Sequence, residues 1–299
     1  QEAVWLTTIA ISAKVFFSSP ATLTGIVGNS GWYMTIISAA IALIGFLFIY
    51  LLLKRFPEKD IVEIFDLSLG RLFGSILYML FVTITRISEF NGVLKVYAFP
   101  LSPNWYIIGI FIVCVLIMSW LGLESIARFS KLVVYFMLAG FILIMVLGAQ
   151  NYNINNLYPI LGNGLDKTIT TGIARSSVYG EVIILAVFAR TFQGVKCIKK
   201  EGIISICLSA LLISLSILAF TLTFPYYIAK EITSPMYEMT MLIDYGRFVQ
   251  RVEPLFLFIW VISALISTTI IFYSFVWIFC KMFRIQDKKP IILGTAVIV

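Results

Sequence analysis

The sequence predicts an all-α protein that crosses a membrane several times. Of its 299 residues, 61% are hydrophobic and only 12% are charged, whereas roughly 25% of the residues in a soluble domain are charged. The mean hydropathy is +1.01. A bilayer core about 30 Å thick requires about 20 apolar residues per helix, and runs of that length recur along the whole chain. The fold class is therefore that of a polytopic membrane protein.

Nine candidate spans can be delimited by the charged residues, prolines and glycines at their ends. Lys14 stands in the middle of the first run and no small-residue cleavage pattern follows it, which argues against a signal peptide. We expect one transmembrane domain over residues 1–299. The nine spans cover residues 3–27 (interrupted), 32–53, 72–97, 104–121, 129–148, 168–192 (interrupted), 202–224, 252–283 and 290 onward.

The positive charges indicate which side of the membrane each loop faces. Cytosolic loops carry the excess of Lys and Arg, and 14 of the 22 basic residues lie in the loops after the second, fourth, sixth and eighth spans. This pattern places the N-terminus in the cytosol and explains the basic excess without a nucleic-acid partner. After the second span, residues 58–70 predict a short amphipathic helix on the cytosolic surface of the bilayer.

The composition argues against an enzyme. The chain has no histidine, which removes Ser-His triads, His-containing metal sites and the commonest acid-base residue. Cys114, Cys197, Cys207 and Cys280 are far apart without a CxxC pair, so they predict neither a zinc site nor a disulfide framework. Walker A and GxGxxG sequences are absent. We expect no catalytic residue, no metal and no cofactor.

The first span is interrupted at Ser19 and Pro20. Proline cannot donate the N–H that continues a helix, and a serine before it is a favourable N-cap. Two half-helices should therefore meet near residues 17–19, although a proline in a transmembrane helix can also be only a kink. Irregular backbone at this depth needs a cover of protein or a water-filled cavity. The candidate ligand contacts here are Lys14, Phe17, Ser18 and Ser19.

The sixth span has a comparable interruption in the sequence Arg175-Ser-Ser-Val-Tyr-Gly-Glu181. A glycine followed by a glutamate in mid-membrane is poor helix and costly to bury, which predicts an unwound joint. Two interrupted spans, five positions apart, indicate an inverted-repeat transporter fold whose half-helix ends bind a small charged ligand. The repeats would cover about 1–148 and 157–299. The candidate ligand contacts here are Tyr179, Gly180 and Glu181.

The charges of Lys14 and Glu181 allow several interpretations. A charge in mid-membrane must find a partner or change its protonation state. Lys14 could pair with Glu181, hold a ligand carboxylate or occupy the place of a Na⁺ ion. Glu181 could accept a ligand ammonium or carry a proton. The structural alternative is a static ion pair that keeps the half-helices in register.

Further polar residues are candidates for a supporting or gating role. Arg86 and Glu89 are three residues apart and can form a pair that braces the third span, with Glu89 as a possible lining residue. Ser267, Thr268 and Thr269, in the centre of the eighth span, could provide oxygen ligands for a coupling ion, but hydroxyl groups commonly bond to carbonyls of their own helix. Trp260 lies close to a predicted span end and is interpreted as an interface anchor.

Several stretches together resemble the permease-like B subunits of endospore germinant receptors. These stretches are Thr85-Arg-Ile-Ser-Glu89, Leu157-Tyr-Pro-Ile-Leu-Gly-Asn-Gly164, Tyr179-Gly-Glu181 and Arg247-Phe-Val-Gln-Arg-Val-Glu-Pro-Leu-Phe-Leu-Phe-Ile-Trp260. The resemblance implies membership of the amino acid-polyamine-organocation superfamily. It also implies a LeuT-like fold of ten spans in a five-plus-five inverted repeat, so the tenth span would follow Val299. Lys14 departs from the pattern, because such transporters usually have a small residue there.

The resemblance implies a receptor subunit in the spore inner membrane, with a partner membrane subunit and a lipoprotein subunit. Our leading hypothesis is a subunit that binds a small nutrient, often an amino acid, between residues 17–19 and 179–181. An alternative of another class is a secondary transporter that moves amino acids with H⁺ or Na⁺ through the same pocket. A third is a scaffold or ion-release conduit in which the pocket is vestigial.

Overall fold

The computed structural model describes residues 2–13, 19–56, 59–64, 83–84, 87, 92, 94–95, 99, 101–192, 194–232, 234–246 and 251–298. Its 3-10 helices are Gly28–Ser30, Ala149–Asn151, Ile154–Leu157, Arg175–Ile183 and Ala189–Thr191. The α-helices are α1 (Glu2–Ser12), α2 (Ser19–Val27), α3 (Gly31–Arg55), α4 (Asn104–Leu121), α5 (Leu123–Gly148), α6 (Leu165–Ala174), α7 (Ile184–Val187), α8 (Val195–Thr223), α9 (Tyr226–Ala229), α10 (Pro235–Met241), α11 (Glu253–Met282) and α12 (Lys289–Ile298).

Five helical runs are long and apolar enough to cross a membrane, judged by length and composition. The first joins α2 to α3 through the 3-10 turn Gly28–Ser30, and the others contain α4, α5, α8 and α11. The polytopic membrane class is thereby confirmed. The predicted span 72–97 lies largely outside the described residues. The five runs are Pro20–Arg55, Asn104–Leu121, Leu123–Asn151, Val195–Thr223 and Glu253–Met282.

Helix α1 lies at the centre of the described bundle. Its residues 6–12 are all buried. A helix that is apolar on every side is stable only when other elements enclose it, and α1 packs against α5, α8, α11 and the 3-10 stretch Arg175–Ile183. The hydroxyl of Ser205 on α8 donates to the carbonyl of Val4 at 3.3 Å. The interior of the bundle is thus built around the first predicted half-helix.

Small residues allow the helices around α1 to approach closely. A Cβ atom at Gly202 of α8 would lie 2.0 Å from the ring of Phe46 on α3, so only glycine fits there. Ser214 of α8 donates to the carbonyl of Trp32 at 2.9 Å. Glycine and serine are typical of contacts between membrane helices, because they permit backbone approach and hydrogen bonding in an apolar medium.

Acidic and basic side chains from three separate loops meet at one end of the bundle. Lys281 at the end of α11 forms ion pairs with Asp60 and with Glu63, the latter at 3.0 Å. Arg190, which follows α7, forms an ion pair with Glu63 at 2.8 Å. The loops after the second, sixth and eighth predicted spans therefore lie on the same face, as the distribution of positive charge requires. We call these four residues the charge cluster.

The segment predicted as an amphipathic surface helix is anchored in the protein. Residues 61–64 are helical, and Ile61 and Ile64 belong to the buried core with 6% and 5% of their surface exposed. The interpretation of a helix that rests its apolar side chains on lipid is therefore wrong for these two residues. Residues 65–70 of the predicted helix lie outside the described part of the chain.

Candidate functional site

The C-terminal end of α1 is the first element of the candidate site. The last carbonyl groups of a helix have no N–H partners further along the same helix. Two side chains of α11 provide donors there: the hydroxyl of Ser267 donates to the carbonyl of Ala10 at 3.0 Å, and the indole N–H of Trp260 donates to the carbonyl of Ala13 at 3.1 Å. The eighth predicted span therefore fixes the position at which α1 ends.

These contacts correct the interpretation of Trp260 as an interface anchor. Only 5% of its surface is exposed, and its indole N–H bonds to protein backbone inside the bundle. The hydroxyl of Ser267 reaches a neighbouring helix and does not bond to a carbonyl of α11, whereas Thr269 does bond to its own helix, at Leu265, as the structural alternative predicts. Thr268 is buried. A role for Ser267 and Thr268 as ion ligands stays a prediction.

The second half of the first segment begins at Ser19, where the sequence places the start of a half-helix. The hydroxyl of Thr24 donates to the carbonyl of Pro20 at 2.8 Å within the first turns of α2. Several predicted site residues cannot be placed, because Lys14, Phe17, Ser18, Arg86, Glu89 and the side chain of Ser19 lie outside the described part of the chain.

In the sixth segment α-helical structure stops at Ala174, within the region for which the sequence predicts an interruption. The nine residues Arg175–Ile183 form a 3-10 helix, followed by the short helix α7. The predicted unwound joint at residues 179–180 thus takes the form of a tighter helix. Runs of 3-10 helix longer than three or four residues are uncommon, because their hydrogen-bond geometry is poorer than that of an α-helix. The nine-residue 3-10 stretch therefore marks an unusual backbone conformation in the sixth segment.

The three residues of the sixth segment that are predicted to contact the ligand have different surroundings. The Tyr179 side chain is 1% exposed and its hydroxyl donates to the carbonyl of Thr35 on α3 at 3.2 Å. Gly180 is exposed, and no heavy atom of the described residues lies within 4 Å of a Cβ built on it. Glu181 is half-buried. Tyr179 hence fixes the 3-10 stretch to α3, while Gly180 borders open space.

The first and sixth segments lie side by side in the structure. In the first segment, α1 packs against the 3-10 stretch of the sixth segment, and α2 packs against α6. The hydroxyl of Ser30, in the 3-10 turn after α2, lies 2.8 Å from the hydroxyl of Thr168 on α6. The hydroxyl of Ser38 on α3 also donates to the carbonyl of Gly172 on α6 at 2.8 Å. Both predicted breaks thus occur in segments that contact each other.

The loop that precedes α6 closes one end of this pair of segments. The backbone N–H of Asn163 donates to the carbonyl of Val27 at 3.0 Å, and its side-chain amide donates to that of Ile26 at 2.9 Å. The side-chain amide of Asn29 donates to the carbonyl of Tyr158 at 2.9 Å. The two bonds from Asn163 satisfy carbonyl groups at the end of α2. A Cβ atom at Gly162 would lie 2.0 Å from the carbonyl oxygen of Val27, which explains the glycine beside Asn163. In the sequence, the motif at 157–164 supported the family resemblance, but its pattern did not predict a contact with α2.

A cavity of about 710 Å³ opens at the opposite end of the pair. We call it the vestibule. It lies between α1, α5, α7 and α8, near the loops that the positive charges assign to the cytosol. Its rim includes the ion pair of Glu2 with Lys131 at 3.8 Å. The described lining residues are Glu2, Ala3, Leu6, Thr7, Leu123, Glu124, Ala127, Lys131, Ile184, Leu185, Phe188, Thr191, Phe192, Cys197 and Glu201.

Glu201 is a polar residue of the vestibule that the sequence pattern did not indicate. Only 7% of its surface is exposed, and the thiol of Cys197, one turn earlier on α8, lies 3.5 Å from its Oε1 atom. The signal in the sequence was a glutamate directly after the segment 196–200, which holds three lysines and is typical of a solvated loop. Burial of this carboxylate follows from the packing of α8 against α1.

The described residues define a polytopic membrane protein in which α1 and α2 of the first segment lie beside a sixth segment that contains a 3-10 stretch, with a cavity open at one end. Within the described residues, no group of three or more His, Cys, Asp or Glu side chains could hold a metal ion.

Comparison with known proteins provides the family. A family model described as spore germination protein matches residues 3–299, and the chain therefore belongs to this family of spore permeases. Spore germination protein KB of Bacillus subtilis (strain 168) is 20% identical over 273 residues, which cover 88% of this chain and 73% of that protein. Spore germination protein YndE of the same organism is 21% identical over 273 residues, or 87% and 73% of the two chains. The resemblance found in the sequence is confirmed.

Proposed function

We propose that this chain is the nutrient-binding, permease-like subunit of a germinant receptor in the spore inner membrane, with its N-terminus in the cytosol. The ligand is a small nutrient with the charges of an amino acid. It binds between residues 14–19 of the first segment and residues 179–181 of the sixth segment. A partner membrane subunit and a lipoprotein subunit complete the receptor.

The observation that carries this proposal is the packing of α1 against the 3-10 stretch of the sixth segment, in a chain of the spore germination family. By the helix dipole, the C-terminal end of α1 carries partial negative charge and the N-terminal end of α2 carries partial positive charge. The first suits a ligand ammonium and the second a ligand carboxylate. Gly180 leaves space beside the break for such a ligand.

The charged residues near the break set the preference for ligand charge in this proposal. Glu181 accepts the ligand ammonium, and Lys14 holds the carboxylate or pairs with Glu181 when the ligand is absent. Phe17 and the ring of Tyr179 limit the size of the ligand side chain, while Ser18 and Ser19 donate hydrogen bonds. Arg86 and Glu89 brace the third span.

In this proposal, ligand binding changes the conformation of the chain, and the vestibule is the open end of one conformation. It is open at the end that the positive charges assign to the cytosol, while the loop at 157–164 closes the other end. In a five-plus-five inverted repeat of residues 1–148 and 157–299, ligand binding would bias a rocking motion between two such states. The partner subunit would respond to that bias.

Thermal unfolding of the purified chain in detergent, screened against the common amino acids, sugars and nucleosides, tests the proposal. We expect at least one small nutrient to raise the Tm. Glu181→Gln should then weaken the calorimetric affinity by more than about tenfold, because a charge-assisted hydrogen bond is lost. The matched control is Glu231→Gln, an exposed carboxylate on the predicted outer face, which should leave the affinity unchanged.

The outcomes separate the alternatives. Saturable binding without uptake into proteoliposomes supports a receptor, whereas uptake that depends on a H⁺ or Na⁺ gradient supports a secondary transporter. A scaffold or ion conduit predicts that no nutrient raises the Tm. Lys14→Ala should abolish binding of anionic ligands or admit larger side chains. If affinity and selectivity both stay as they were, Lys14 has only a structural role.

A further inference from the structure

Three aromatic rings form a triangle at the end of the bundle where the vestibule opens. Phe188 follows α7, and Tyr273 and Trp277 lie one turn apart on α11. The ring centroids of Phe188 and Trp277 are 5.3 Å apart, those of Phe188 and Tyr273 are 6.0 Å apart, and those of Tyr273 and Trp277 are 6.4 Å apart. We call these residues the ring triangle. Phe188 also lines the vestibule, so the two features share a wall.

The ammonium group of Lys288 lies against the ring triangle. Its Nζ atom is 3.6 Å from the centroid of the Trp277 ring and 5.9 Å from that of Tyr273. Lys288 ends the connection between α11 and α12. The carboxylate of the adjacent Asp287 is engaged elsewhere, since its Oδ1 accepts the backbone N–H of Lys289 at 3.1 Å. Within the described part of the chain, Lys288 forms no ion pair with a carboxylate.

The aromatic faces are therefore what stabilises this ammonium group. Burial lowers the pKa of Lys288 from its ordinary value, because desolvation disfavours the charged form. A cation over the face of Trp or Tyr, within about 6 Å of the ring centroid, is attracted by the negative face of the π system, and the attraction grows when the pair is desolvated. Sites that recognise small ammonium ligands use the same arrangement of several aromatic faces.

We propose that the ring triangle is a binding site for a small alkylammonium ion, occupied in this conformation by the ammonium group of the chain's own Lys288. Its occupation ties the connection between α11 and α12 to Trp277, which packs against Phe188 at the end of α7. A free primary amine that enters through the vestibule competes with Lys288 for the same faces. This site is separate from the nutrient site proposed at residues 14–19 and 179–181.

Chemical rescue of the full chain in detergent tests the proposal. Lys288→Met keeps most of the side-chain volume and removes the charge, and we expect it to lower the Tm by about 2–4 °C. Propylammonium chloride should restore the Tm of this variant in a saturable manner, whereas 1-propanol with sodium chloride at the same concentration should not. The wild-type chain should respond less, because its site is filled.

Two further variants complete the design. Lys289→Met is the matched control, because Nζ of the neighbouring Lys289 lies 5.2 Å from the ring of the exposed Trp120; it should show no saturable rescue. In Lys288→Met/Trp277→Leu the rescue should be lost. The proposal is overturned if Lys288→Met unfolds at the wild-type temperature, or if propylammonium stabilises the wild type, the Lys289 variant and the Lys288 variant equally.

Discussion

The indole N–H of Trp260 donates to the carbonyl of Ala13 at 3.1 Å, at the point where α1 ends. The tryptophan belongs to the eighth predicted span and the carbonyl to the first, and 247 positions separate them in the chain. A buried carbonyl without a donor is destabilising in an apolar interior. The end of α1 consequently depends on a distant helix for hydrogen-bond donors.

Trp260→Phe should lower the stability of the chain while it preserves most of the packing. The phenyl ring fills most of the space of the indole, but the carbonyl of Ala13 loses its donor, at a cost of about 1–3 kcal/mol. Thermal unfolding in detergent measures the change. Trp105→Phe is the matched control, because Trp105 is 75% exposed and should tolerate the change. Equal Tm values for the two variants would contradict the capping role.

Gly162→Ala should open the loop at 157–164. A Cβ atom at Gly162 would lie 2.0 Å from the carbonyl oxygen of Val27, and its φ of +55° is strained for other residues. We expect a loss of more than about 2 kcal/mol, because overpacking and backbone strain add. Limited proteolysis of the loop and the Tm report the effect. Gly109→Ala on α4 has open space around it and should be neutral or slightly stabilising. A protease-resistant Gly162→Ala loop would disprove the close contact.

The charge cluster should show measurable coupling between Asp60 and Lys281. Asp60 is fully buried and Lys281 forms ion pairs with it and with Glu63. A double-mutant cycle of Asp60→Asn and Lys281→Met should give a coupling free energy of about 1–2 kcal/mol, because the pair is shielded from solvent on one side. The exposed pair of Glu124 with Arg128 serves as control and should couple by less than about 0.5 kcal/mol. If the effects of Asp60→Asn and Lys281→Met are additive within error, the charge cluster does not hold the loops together.

Cys197 provides a test of the orientation of the chain. Its thiol is half-buried in the lining of the vestibule, whereas Cys207 is exposed on the membrane-spanning part of the same helix. In a chain that keeps only Cys197, an impermeant maleimide should react in inside-out vesicles and leave right-side-out vesicles unlabelled, as mass spectrometry would show. A chain that keeps only Cys207 should stay unlabelled in both, because that thiol faces lipid. Labelling of Cys197 from the external face would reverse the predicted topology.

Much of the fold followed from local features of the sequence. Both ends of α4 and α11 and the C-terminal ends of α5 and α8 agree with the predicted spans, because hydropathy depends on composition along one helix. However, α5 begins at Leu123 and α8 at Val195, before the predicted starts at 129 and 202, because charged residues end an apolar run without ending the helix. The start of α2 at Ser19 also follows from local residues, since proline acts on the backbone where it stands. The end of α6 at Ala174 did not follow, because the predicted joint was at residues 179–180 and the 3-10 stretch begins at Arg175. The burial of Ile61 and Ile64 did not follow, because an amphipathic pattern does not specify whether its apolar side rests on lipid or protein.

The sequence by itself determined that this chain is a membrane protein of the spore germination family, with breaks in its first and sixth segments and its positive loops on one face. The tertiary structure alone decided that Trp260 and Ser267 donate to carbonyls at the end of α1, that Tyr179 bonds to α3, and that Lys288 lies against Trp277 and Tyr273. The physical reason is that hydropathy and backbone breaks are properties of neighbours in the chain. A hydrogen-bond donor or a ring face that stabilises a distant group depends on which helices pack together.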